Sequence, residues 1–92
     1  MSEDLKLTVY VTREGDSYVA QCIERDICAQ APDMETLITR MSALIDLECE
    51  EGMARTGKPF GDLPPAPAFF HDMADRVRNS LRSDGLEFKI AA

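Results

Sequence analysis

Positive charge is scarce in this chain. Ten lysines and arginines stand against 17 aspartates and glutamates, with a single histidine, for a net charge of −7. The deficit is uneven: residues 1–52 hold 12 acids and 4 bases, whereas residues 53–92 hold 5 acids and 6 bases. A strongly acidic half repels phosphates, so direct nucleic-acid contact is not expected. It suits a basic protein partner, or solubility alone. Long apolar runs are also missing, which excludes a membrane-spanning helix. Met1-Ser2-Glu3-Asp4 lacks the basic and apolar regions of a signal peptide, so a cytoplasmic protein is expected. Cys22, Cys28 and Cys49 show no Cys-x-x-Cys spacing, and an odd set of three implies no disulfide framework.

The chain is short as well. Its 92 residues make a single domain, and at that size folding hides roughly 60% of the unfolded surface. Support from a partner subunit, a homo-oligomer, is therefore expected.

What is present is hydrophobic patterning. Leu5, Leu7, Val9 and Val11 alternate with Lys6, Thr8, Tyr10 and Thr12, which predicts a strand with one packed and one wet face. Arg13-Glu14-Gly15-Asp16 reads as a hairpin turn and Ser17–Ile23 as the returning strand. Glu24-Arg25-Asp26 bends the chain into a short third strand, Ile27–Ala31, which Pro32 stops. Asp33 is placed to cap a helix from Met34 to about Glu51, where the hydrophobic period changes from two to about 3.6. Gly52 is the expected terminator, with Gly57 as the alternative.

Residues 53–67 read as a linker rich in glycine and proline, pinned by Phe60 and Leu63. A second helix is predicted from Pro67 or Ala68 to about Leu81, presenting Phe69, Phe70, Met73, Ala74, Val77 and Leu81. Its early Asp72 and Asp75 and its late Arg76, Arg78 and Arg82 match the helix dipole. After a Ser83-Asp84-Gly85 turn, Leu86, Phe88 and Ile90 alternate with Glu87 and Lys89 in a final strand. All five glycines and all five prolines then fall outside the proposed elements.

The expected fold is α+β in the order β-β-β-α-α-β: a three-stranded antiparallel meander covered by a helix, then a second helix and a short fourth strand. The domain is divided as a core over 5–52, a linker over 53–67 and a C-terminal helix and strand over 68–91. The last strand, Leu86, Phe88 and Ile90, either returns parallel to the first or pairs with another subunit.

Catalytic signals are weak. Two-metal hydrolysis needs converging carboxylates, yet the first strand carries none, and Glu14, Asp16, Glu24 and Asp26 sit at strand ends. Cys22, Cys28 and His71 lack paired zinc-ligand spacing, and a Cys22–His71 nucleophile pair has no supporting motif. No catalytic residue, metal or cofactor is expected. An aromatic groove of Phe60, Phe69 and Phe70 reads better as core closure. Glu24, Asp26, Glu48, Glu50 and Glu51 are the candidate partner-binding residues.

Tyr18-Val19-Ala20, Ala29-Gln30 and Asp33 to Thr36 stand where a HicB-like antitoxin domain places its second strand, third strand and helix cap. The run Leu7 to Leu47 resembles that domain, though Ala31-Pro32-Asp33 replaces the usual Gly-Asp-Thr-like turn. The resemblance implies a truncated ribonuclease-H-like fold without its active site. It also implies a non-enzymatic protein that masks a small basic toxin ribonuclease. Such antitoxins commonly continue into a DNA-binding part, whereas a linker, helix and strand follow here. A stand-alone regulatory or small-ligand-binding domain, with a pocket at Phe60, Phe69 and Met41, is the alternative.

Overall fold

A computed structural model describes residues 6–83 and 85–91. It is a small α+β domain built on one mixed five-stranded sheet. The strands are β1 (Leu7–Glu14), β2 (Ser17–Cys22), β3 (Cys28–Ala31), β4 (Ser80–Ser83) and β5 (Leu86–Ile90), in the order β3-β2-β1-β5-β4. The helices are α1 (Met34–Thr56) and α2 (Ala68–Asp75). Leu5, placed in the first strand by its periodicity, lies outside the described residues.

The antiparallel meander forms as its alternation predicts, with Val9 opposite Cys22 and Val11 opposite Ala20. Gly15 closes the first hairpin at φ 61°, in the left-handed region that costs glycine least. The last strand returns parallel to β1, pairing Leu7 with Leu86 and Val9 with Phe88. Leu7, Val9 and Val11 therefore share a face with Ala20, Cys22, Leu86 and Phe88, and Leu37, Met41 and Ile45 of α1 close over it.

The opposite face of β1 is not wet. Tyr10 is buried there with Ile23 and Ala74, against Phe70, Met73 and Val77. The Tyr10 and Phe70 rings lie 6.4 Å apart in a tilted arrangement. α2 thus makes a third layer, and β1 is covered on both faces.

Asp33 caps α1 as expected, its carboxylate accepting the Thr36 N–H at 2.7 Å. The helix does not stop at Gly52. It runs on to Thr56 and ends at Gly57, whose φ is 80° and whose N–H donates to Met53 O at 2.9 Å. Gly52 is an interior helical residue because the Phe60–Gly61 backbone crosses directly over it, leaving no room for a Cβ.

The second helix is shorter than its periodicity suggests. It ends at Asp75, so Arg76 and Arg78 lie beyond it and Arg82 lies in β4. The dipole match expected for those residues does not arise. Residues 80–83 instead pair with β5, joining Leu81 to Phe88 and Ser83 to Leu86. The outer edge of β5 offers backbone bonds that a longer α2 would leave unmade, and Gly85, at φ 81°, leads the chain into β5. Both edges of β5 are consequently occupied, and Leu86 and Phe88 are core residues. The expectation that Leu86, Phe88 and Ile90 pair with another subunit is corrected: β5 is an interior strand of its own sheet.

Candidate functional site

The candidate acids divide into two groups with different surroundings. Glu48, Glu50 and Glu51 lie on the second half of α1, Glu50 and Glu51 exposed and Glu48 half-buried. No base occurs between Arg40 and Arg55. Because residues three and four apart are neighbours on a helix, Asp46, Leu47, Glu50, Met53 and Ala54 form one ridge. All five are exposed, and Leu47 and Met53 each leave 49% of their surface open. This ridge sets the carboxylates of Asp46 and Glu50 beside two large unburied apolar side chains and Ala54, on a helix about 34 Å long.

Glu24 and Asp26 hold their own chain together. Glu24 Oε1 accepts the Thr8 N–H at 2.7 Å, and Asp26 Oδ1 accepts from Gln21 Nε2 at 2.9 Å. Asp26 N–H also donates to Pro64 O at 2.7 Å, and Ala66 N–H to Ile23 O at 3.0 Å. Arg25 donates to Leu63 O at 2.9 Å while its guanidinium stands 5.3 Å from the centre of the Phe60 ring. The bend after β2 is thereby fastened to the segment between the helices. Phe60 and Leu63 pin that segment as expected, Phe60 almost fully buried and Leu63 packed against the core. Sequence reasoning missed the tethering role of the Glu24 carboxylate and the Asp26 backbone, since Thr8 and Pro64 lie 16 residues and 38 residues away along the chain.

A cleft of about 220 Å³ opens between α1 and the start of β1 and β5, lined by Leu7, Ser42, Ile45, Asp46, Cys49, Phe60 and Leu86. Ser42 Oγ, at its wall, is buried without a hydrogen-bond partner among the described residues. Of the residues expected to form a pocket, only Phe60 is here. Met41 is wholly buried, and Phe69 is 61% exposed on α2. Phe69 meets Phe70 edge-on with centroids 5.2 Å apart, but Phe60 belongs to the core under α1, so the three do not form one groove.

Cys22 and Cys28 do not converge. Cys28 stands opposite Gln21 in the β2–β3 register, so successive residue Cys22 points to the other face of the sheet. Burial pushes the Cys22 thiol above its ordinary pKa, and the neighbouring Glu24 charge pushes the same way, against opposing backbone hydrogen bonds. His71 lies on α2 and makes a 3.2 Å contact with Ala66 O. Among the described residues no group of three or more His, Cys, Asp or Glu side chains is placed to hold a metal ion. Among them, too, no helix is long and apolar enough to cross a membrane. No family model matches the chain, and no curated protein or solved structure matches it either.

Proposed function

We propose that this chain is a non-enzymatic, HicB-like interaction module of the cytoplasm, an antitoxin that binds and masks a small basic ribonuclease. The observation that carries this reading is the ridge on α1. Half-exposed Leu47 and Met53 stand among Asp46, Glu50 and Glu51, and the first base met along the helix is Arg55, one turn beyond Glu51. Apolar anchors in a predominantly acidic surround suit a partner with apolar pockets and a basic rim. Glu24 and Asp26 contribute indirectly, by fixing the bend, whereas Glu50 and Glu51 meet the partner.

Co-expression with the product of an adjacent small basic reading frame tests the reading. A complex should form, suppress that protein's ribonuclease activity and weaken as salt is added. Leu47→Ala should lower affinity by roughly tenfold, in the range of a modest hot spot. A pull-down yielding no basic partner, or a complex untouched by changes on the ridge, would sink it.

The α1 cleft favours a second reading, a small-ligand-binding regulatory domain. An apolar molecule with one polar group for Ser42 fits a cavity of about 220 Å³. A small-molecule thermal-shift screen, repeated on Ser42→Ala, separates the two readings.

A further inference from the structure

The two edges of the sheet, β3 and β4, are finished differently. At β3, the bond from Cys22 N–H to Ile27 O sets the hydrogen-bonding phase, so Cys28 and Gln30 turn their backbone groups outward. The Arg40 guanidinium takes the Gln30 carbonyl at 2.7 Å, and Pro32 follows the strand. Such features blunt an edge against further pairing. At β4, the 3.0 Å bond from Ile90 N–H to Asn79 O sets the phase. Leu81 and Ser83 direct their backbone groups to β5, and Ser80 and Arg82 direct theirs outward. Among the described residues nothing bonds to those outward groups. Leu81, opposite Phe88 on the α1 side of the sheet, is 44% exposed beside them.

We propose that a second copy of this chain occupies that edge, β4 pairing antiparallel with β4 about a two-fold axis through Leu81. In this register Ser80 of each copy faces Arg82 of the other, and each such pair exchanges both backbone hydrogen bonds. The two Leu81 residues meet as the intervening non-bonded pair, Cα atoms about 4.5 Å apart, and each covers the other's exposed side chain. The two nearest phase-compatible registers are opposed by charge. An axis through Arg82 sets the two Arg82 side chains opposite each other, and an axis through Ser80 sets Arg82 against Arg78. Like charges directly opposite are unfavourable. A slip of one residue sets outward amides against inward ones. The same geometry joins the two sheets into one.

So short a seam covers less than the about 800 Å² per partner typical of a stable interface. The dimer is accordingly concentration-dependent, and two chains of charge −7 repel, so added salt strengthens it. Binding of a basic partner weakens with salt, so this pairing and the antitoxin reading can fail separately.

Analytical ultracentrifugation of the full chain, over concentrations from about 1 μM to about 1 mM, reads the equilibrium. Leu81→Lys places like charges on the axis, and Ser80→Pro removes an outward N–H that makes no bond among the described residues. Each should weaken dimerisation by about tenfold or more, with circular dichroism unchanged. Register is read by Leu81→Cys, Ser80→Cys and Arg82→Cys in a background carrying Cys28→Ser and Cys49→Ser. Leu81→Cys should cross-link fastest, because only its Cα pair falls at disulfide spacing across a non-bonded pair. A monomer at every concentration, a dimer indifferent to both Leu81→Lys and Ser80→Pro, or equal cross-linking at all three positions overturns the proposal. A complex through β4 with a different protein in place of the dimer does so too.

Discussion

The backbone of Phe60 lies directly over Gly52, so close that a Cβ built on Gly52 would stand 2.5 Å from the Phe60 amide nitrogen. Phe60 itself takes φ 66°, a region that bulky residues rarely enter, while its ring is buried in the core beneath Arg25. The glycine, the left-handed phenylalanine and the buried ring form one clamp, which fixes where the chain turns back after α1. Gly52→Ala should therefore destabilise the protein despite the about 1 kcal/mol by which alanine favours a helix interior. Overpacking against backbone typically costs about 1–3 kcal/mol, and this clash lies at or above the upper end, for a net loss of about 2 kcal/mol. Urea denaturation measures it; an unchanged or raised midpoint would show that the contact relaxes freely.

Glu24 holds the Thr8 amide from a half-buried position. Glu24→Ala leaves that N–H without its acceptor and should cost about 1–2 kcal/mol, whereas Glu24→Gln keeps an acceptor and should cost less. Thermal melts of both variants check the order. Any partner-affinity loss at this position needs comparison with the Gln variant before it is read as contact.

The Asp33 carboxyl is held below the ordinary range, first by the Thr36 backbone N–H and then by the Thr36 side chain. A depressed native pKa contributes stability that is present above the unfolded value, about 3.9, and is lost as pH falls through the native one. Asp33→Asn retains the cap and should flatten the acid limb of a stability–pH curve below about pH 4. Asp33→Ala should lower stability at neutral pH as well. An acid limb identical in wild type and Asp33→Asn would assign the dependence to other groups.

Cys22 is buried, Cys28 exposed and Cys49 half-buried. A thiol-specific chromogenic reagent should label Cys28 fast, Cys49 slowly and Cys22 only after unfolding. Because burial raises the native Cys22 pKa, its contribution is complete below the unfolded thiol value of about 8.5. Stability should then fall as pH rises from there through the native pKa, and Cys22→Ala should lessen that alkaline slope. Rapid labelling of Cys22 in the native protein would contradict its place in the core.

Much of the candidate surface was legible locally. Glu50 and Glu51 are exposed, as their position on the polar side of the expected helix implies, but they lie inside it, and the extra residues to Thr56 are what add Met53 to the ridge. Gly52 looked like a terminator because glycine commonly ends helices; nothing nearby in sequence announces a backbone crossing it from eight residues on. β4 left a signal that went unused. Asp84-Gly85 between Ser80–Ser83 and Leu86–Ile90 is a strong hairpin pattern, but the apolar spacing from Phe70 through Val77 to Leu81 fits a helix equally well.

The sequence by itself determined the β1–β2–β3 meander, the capped start of α1, the core face beneath α1 and the sign of the surface. Alternation, proline stops and a cap are set by residues within a turn or two of one another, so they survive without knowledge of the fold. Only the tertiary structure decided that α2 covers the second face of β1, that β5 lies inside the sheet and that β4 takes the edge. Those outcomes depend on which backbone groups are left to pair once the core has closed, and residues far apart in the chain answer that together.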